Sequence, residues 1–407
     1  MIGDDRIISV DDHVVEPPDL WTSRLPAKFK DQAPHIVRQK MKLGGQVEGG
    51  AGAGMKWVED SDGEWSDVWH YDGIQSPLMV VSAAVGFPEI GLGVTTFDEI
   101  RPGTWKQVER LADMDANYVE AALCFPNTLP RFCGQTFYEQ PSRELGLLCI
   151  QAYNDWVIDE WGGGLGAGRL LPVTLVPLWD AELAAAEVRR CADVGSFAVT
   201  FPETPVPLGL PSIHDKNRFW DPFFTACQET ETVVCMHIGS SSKMPSTAPD
   251  APFIISSTLT FQNAMGSLCD YIFSGTLERF PTLTISYSEG QVGWMPYILE
   301  RADKLWAERA ANSFGSSLKS APSSFIAGRV YGCIFDDLTG LQNRDAIGMD
   351  QICFETDYPH ADSTFPKTRE TFIHICEEAG LDDAEAYKLA RGNAIQGFGL
   401  KRYGLSV

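Results

Sequence analysis

The chain reads as an α/β protein of the TIM-type (β/α)8 barrel class, and three observations predict it. Eight short runs rich in Val, Ile, Leu, Phe and Thr recur along the 407 residues, longer amphipathic stretches separate most of them, and two of the seven histidines close such runs. Strands buried on both faces of a parallel sheet read as near-continuous apolar runs, and the helices between them cover the sheet. The same elements would also suit an open doubly wound sheet, the alternative architecture.

In chain order the runs are RIISVD (6–11), YVEAALCF (118–125), RLLPVTLVPL (169–178), SFAVTF (196–201), TVVCMH (232–237), TLTISY (282–287), VYGCIF (330–335) and QICFET (351–356). Helical periodicity fills the gaps in WKQVERLADMDA, SRELGLLCIQAYNDWVIDEW, AELAAAEVRRCADV, FWDPFFTACQET, SLCDYIFSGTLERF and WMPYILERADKLWAERA, and closes the chain in TRETFIHICEEAG and DDAEAYKLARGNAIQGF. Between the first and second strands the rhythm breaks. Residues 22–103 hold a glycine-rich patch (GGQVEGGAGAG, 44–54) and three tryptophans, Trp57, Trp65 and Trp69. That is too long for an ordinary connection. We read residues 1–407 as one domain with 22–103 inserted after strand 1, over the C-terminal face of the barrel. The insertion serves either as a lid or as a subunit contact or small hairpin subdomain.

Composition narrows the function classes. With 32 Lys and Arg against 55 Asp and Glu, the formal net charge is −23, which argues against nucleic acid or an anionic membrane as partner. The ten cysteines form no C-x-x-C pair, so buried free thiols in a reducing compartment are expected. No signal-peptide-like stretch opens the chain and no window approaches the roughly 18 apolar residues of a membrane span. A cytoplasmic protein acting on a small molecule is the expectation. The glycine patch lacks the Lys and Ser or Thr of a phosphate-binding loop, and IGSSS lacks the second glycine of a nucleophile elbow.

Strand ends carry the chemistry. Residues two apart on a strand share a face, so Asp11 and His13 of SVDDH form a chelating pair, with Asp12 pointing away. His237 ends the apolar run TVVCMH, where it is either a satisfied core histidine or a ligand. Asp357 leaves QICFET as either a turn former or a general base. Two neutral imidazoles and two carboxylates would nearly neutralise a divalent ion and leave coordination positions open, which is the catalytic type of site. One ion is expected, zinc first and manganese second.

These segments together resemble the amidohydrolase superfamily, in the amidohydrolase-2 branch of the aminocarboxymuconate semialdehyde and γ-resorcylate decarboxylases. The likeness runs through VDDHVVEPPDLW, RLADMDANYVEAALCFP, MHIGSSS, ISYSEGQVGWMPYILERAD, ETDYPH and ARGNAIQGFGL. It implies a metal-dependent TIM barrel with Asp11, His13, His237 and Asp357 as ligands. It also implies a histidine at the end of the sixth strand as acid or base, where this chain has Ser288 and Glu289. Glu289 is either a desolvated base or a helix N-terminal residue, and His360 either the replacement imidazole or a loop histidine.

Arg131 in PNTLPRFCG is a candidate carboxylate clamp, or pairs with Glu139 or another structural acid. Trp57, Trp65, Trp69 and Phe132 are candidates to line an aromatic pocket, or pack the core or lid. The leading expectation is a metal-dependent hydrolase of a small aromatic or cyclic substrate, with Asp357, Glu289 and His360 moving protons. A non-oxidative decarboxylase or hydratase at the same site is the alternative, and a non-catalytic binding barrel the third reading. The resemblance and the Trp-rich insertion also imply a homodimer or higher homo-oligomer.

Overall fold

The computed structural model describes residues 6–46, 55–89, 91–309 and 318–406. Most of the glycine patch, residues 47–54, lies outside them. In chain order the strands are β1 (Ile7–Val14), β2 (His35–Gln46), β3 (Met55–Glu59), β4 (Glu64–Tyr71), β5 (Ile74–Pro77), β6 (Val119–Pro126), β7 (Leu170–Pro172), β8 (Ala198–Phe201), β9 (Val233–His237), β10 (Ile285–Ser288), β11 (Val330–Ile334) and β12 (Ile352–Phe354). Each of the eight apolar runs carries one of β1 and β6 to β12, with helices in the intervals.

Two parallel sheets result, in the orders β1-β6-β7 and β12-β11-β10-β9-β8. Thr174 just past β7 bridges Val199 of β8. Beyond β12 the backbone runs beside β1, where Asp357 N–H donates to Asp11 O (2.9 Å) and His13 N–H to Tyr358 O (2.6 Å). This α/β arrangement fits a TIM barrel. β7 is shorter than the apolar run 169–178, since beyond Pro172 a single bridge pair marks the pairing.

Strands β2 to β5 form a separate antiparallel sheet of order β3-β2-β4-β5. Trp57 packs there against Met41, Val68 and Val94. Trp65 is exposed, while Trp69 is buried against Trp21 and donates through Nε1 to Thr128 Oγ1 (3.0 Å). This sheet therefore docks on the loop that follows β6. All ten cysteines are free, and no helix among the described residues is long and apolar enough to cross a membrane.

Side chains alternate between two cores. Val234 and Met236 of β9 pack with the helices, while Val233 and Cys235 join Ile8, Val10, Leu123, Leu171 and Cys333 in an inner cluster plugged by Ile395, Phe398 and Leu400. His237 continues the inward row. On β1 the pairing with β6 shifts register between Ser9 and Asp12, and such an irregularity re-aims the side chains beyond it. Asp11 and His13 thereby turn toward the histidine of β9, while Asp12 turns away.

Asp12 accepts hydrogen bonds from the hydroxyls of Ser9 (2.9 Å) and Thr356 (2.5 Å) and lies 3.7 Å from Arg110 Nη1. Arg110 is fully buried, donates to the backbone oxygens of Gly103 (2.7 Å) and His13 (2.5 Å), and lies over the Tyr358 ring. One guanidinium thus ties β1 to the segment after β12. Removing one partner of such a pair leaves an uncompensated buried charge, so Arg110→Ala is expected to lower the unfolding free energy by about 3–5 kcal/mol. Urea denaturation measures it, and a loss under about 1 kcal/mol, the worth of a surface pair, would show that this tie is dispensable.

Glu203, beyond β8, is also buried, and burial pushes its carboxyl from 4.5 up to about 8. Between these values the folded state keeps a proton that the unfolded chain has lost, so this group makes stability fall as pH rises through that window. Glu203→Gln is expected to flatten that slope in urea midpoints measured across the window, and an unchanged slope would contradict the assignment.

Candidate metal centre

His13 and His237, brought together from β1 and β9, point Nε2 at Nε2 across 3.0 Å. Each ring uses its other nitrogen on a backbone carbonyl: Nδ1–H of His13 donates to Pro126 O (3.2 Å) and Nδ1–H of His237 to Ile238 O (2.7 Å). Both Nε2 atoms therefore carry lone pairs. Such outer hydrogen bonds to carbonyls fix the tautomer of metal-binding histidines. Burial holds both rings neutral, with His237 pushed down to about 3 and His13 well below the ordinary imidazole value.

Two carboxylates complete the set. Asp11 Oδ1 is 3.5 Å from His13 Nε2 and Oδ2 is 3.3 Å from His237 Nε2, while Asp357 Oδ1 lies 3.5 Å from His13 Nε2. Neither oxygen of Asp11 has a hydrogen-bond partner, Asp357 Oδ2 has none and its Oδ1 faces His360 Nδ1, and all four metal-site side chains are fully buried. Burial first, then neighbouring carboxylates, raises both aspartates well above their usual range. Facing lone pairs and unpartnered buried oxygens are costly unless protons or a cation lie between them. A divalent ion fits this donor set.

Backbone strain helps to aim the site. A non-glycine residue at positive φ is uncommon and tends to mark functional loops. Arg131, Ser242, Glu289, Gln291 and Asp357 all adopt it, on loops that follow parallel strands. Glu289 follows Ser288, which pairs with His237 across β10 and β9, and its Oε2 reaches within 3.6 Å of His237 Nε2. Burial and then the Asp357 charge raise its carboxyl well above the usual range.

His360 is drawn into the same place. Its ring lies over that of His13 with centroids 3.9 Å apart, Nδ1 is 2.9 Å from Asp357 Oδ1, and Nε2 is 3.3 Å from Asn127 Oδ1. Asn127 is itself fixed, because its Nδ2 donates to Ser82 O (2.9 Å) and its N–H to Glu16 Oε1 (2.7 Å). Ser82, from the segment between β1 and β6, thus braces this histidine through Asn127.

Asp11, His13, His237, Asp357, Glu289 and His360 come together; Arg131 and Trp57 do not join them. The Arg131 guanidinium is paired with Glu139 (2.9 and 3.0 Å) and Ser242 (2.5 Å), the second of its two readings, rather than presented as a free clamp. Trp57 belongs to the packing of the antiparallel sheet, because its strand pairs with β2 rather than with the loops around the histidines. The aromatic wall comes instead from Phe132, whose ring centroid is 4.2 Å from that of His237 and 5.3 Å from that of His13.

Sequence reasoning missed Glu355 and Asn127. Glu355 stands two residues before Asp357 at the end of the same run, so the i, i+2 rule that paired Asp11 with His13 would have found it. It is fully buried and accepts from Glu289 N–H (3.0 Å). No sequence signal singles out Asn127.

The fold and donor set define a metal-binding α/β enzyme class, and comparison with known proteins identifies the family. The Amidohydro_2 family model, described as amidohydrolase, matches residues 97–400, and the chain belongs to this family. Among solved structures it is similar to an amidohydrolase from Mycobacterium avium subsp. paratuberculosis K-10 (20% identity, TM-score 0.66, covering 97% of this chain and 99% of the other). It is similar too to the 2,6-dihydroxybenzoate decarboxylase from Rhizobium (17%, 0.59, 98% and 99%). A third likeness is the dihydroxybenzoic acid decarboxylase from Polaromonas sp. JS666 with bound manganese and 2-nitroresorcinol (16%, 0.60, 98% and 98%).

His237→Ala removes one of two converging imidazoles. It is expected to weaken zinc or manganese binding at least about 100-fold, beyond the loss typical of an outer hydrogen-bond partner, measured by titration against a competing chelator. Because Asp11 and Asp357 must release protons to bind the ion, affinity in the unsubstituted protein is expected to fall as pH is lowered. Unchanged affinity in H237A would remove this residue from the centre.

Proposed function

We propose that this chain is a divalent-metal-dependent, non-oxidative decarboxylase of a hydroxylated aromatic carboxylic acid. The observation that carries the reading is the meeting of two neutral imidazoles and two fully buried carboxylates in a site walled by Phe132. Decarboxylases of dihydroxybenzoates share the fold, and they favour this reading over the metal-water hydrolysis that heads the sequence-based expectations. The proposal takes the two parallel sheets as one closed (β/α)8 barrel with residues 22–103 inserted after its first strand. The Thr174–Val199 bridge and the Asp357–Asp11 hydrogen bond support that closure.

Asp11, His13, His237 and Asp357 would hold the ion, with manganese or zinc as the candidates. When bound, the ion supplies positive charge for a carboxylate or phenolate of the substrate. Phe132 stacks against the aromatic ring and, with the buried strand ends, excludes water. Glu289 holds a proton at its carboxyl and delivers it to the ring carbon as the bond to the carboxylate breaks, so that the electron pair of that bond becomes the new C–H bond and carbon dioxide leaves. His360, oriented by Asn127, exchanges protons with Asp357 through Nδ1.

Protein reconstituted with manganese or zinc is expected to release carbon dioxide from at least one member of a panel of dihydroxybenzoates and their substituted relatives. Glu289→Gln is expected to lower kcat by about 10²–10⁴, the usual worth of a positioned acid, with the ion retained. Turnover of esters or amides with no carbon dioxide from any acid would return the assignment to hydrolysis.

A further inference from the structure

Beneath the His13 and His237 pair the strands carry a second group of donors, and we propose that Cys333, Glu355 and Asp11 hold a second metal ion, bridged to the first through Asp11. The proposal rests on the reading of Asp11, His13, His237 and Asp357 as the outer centre. Cys333 sits on β11, Glu355 just past β12 and Asp11 on β1, and their donor atoms lie within 4.8 Å of one another, all buried. Cys333 Sγ is 2.6 Å from Glu355 Oε2 and 3.2 Å from the backbone oxygen of Tyr287, which offers a further ligand. Glu355 Oε1 and both Asp11 oxygens have no hydrogen-bond partner.

Charge balance points the same way. Four carboxyl groups, those of Asp11, Asp357, Glu289 and Glu355, meet in this interior. Arg110, the only Lys or Arg buried among the described residues, faces Asp12 instead. With Glu289 keeping its proton, the carboxylates of Asp11, Asp357 and Glu355 and the thiolate of Cys333 carry four negative charges, which two divalent ions balance, and a thiolate with carboxylate oxygens is a donor set that zinc takes. Two ions sharing a bridging carboxylate would sit about 3.5–4 Å apart. Binding releases the thiol proton to solvent, and the ion then separates Sγ from Oε2.

Wild-type protein loaded with excess zinc and freed of unbound ion by gel filtration is expected to carry two equivalents by elemental analysis. Loaded with cobalt, it is expected to show a thiolate-to-cobalt charge-transfer band in the near ultraviolet. Cys333→Ser is expected to abolish the band and one equivalent while keeping the other. Should that variant fail to fold, Glu355→Gln reads the same stoichiometry. One equivalent with no band overturns the inner site and leaves the outer centre standing, with Cys333 and Glu355 then sharing protons. A band that survives in C333S, or two equivalents without a band, overturns the assignment to this thiol. A protein that binds no ion overturns both centres.

Discussion

Two imidazole nitrogens that both carry lone pairs, 3.0 Å apart where water has no access, repel each other unless a cation lies between them. The rest of the site follows from that constraint. The carbonyls of Pro126 and Ile238 hold the tautomers that create it. Asp11 and Asp357 bring oxygens with no other partner, and burial raises the cost of leaving such groups uncompensated. A scaffold that tolerates this arrangement without an ion must keep its carboxyls protonated, which is the direction in which burial drives them.

Holding so costly a centre requires rigid ends to the strands. Arg110 and Asp12 fasten β1 to the segment after β12, and Glu16 and Asn127 brace the loop after β6 against His360. Positive φ at Glu289 and Asp357 turns their side chains toward the histidines as the strands end. Each device acts on backbone position, so the ligands themselves need no adjustment.

Much of this was legible in the residues. The apolar runs located all eight parallel strands, because burial on both faces leaves a compositional trace. The i, i+2 rule placed Asp11 and His13 on one face, and the ends of two other runs offered His237 and Asp357. Trp57 and Arg131 were each left with two readings for a shared reason. An aromatic or a cation in a loop carries no mark of its partner, and here the partners were a neighbouring strand and Glu139.

What the sequence by itself determined was local: strand and helix periods, the residue types at strand ends, and a family resemblance that the match over residues 97–400 bears out. Only the tertiary structure decided which strand ends meet, that His360 lies over His13, and that Glu289 rather than Ser288 faces His237. The reason is physical. Periodicity is written within one element, whereas the register shift in β1, the positive φ after β10 and the contacts between loops arise from packing among elements far apart in the chain.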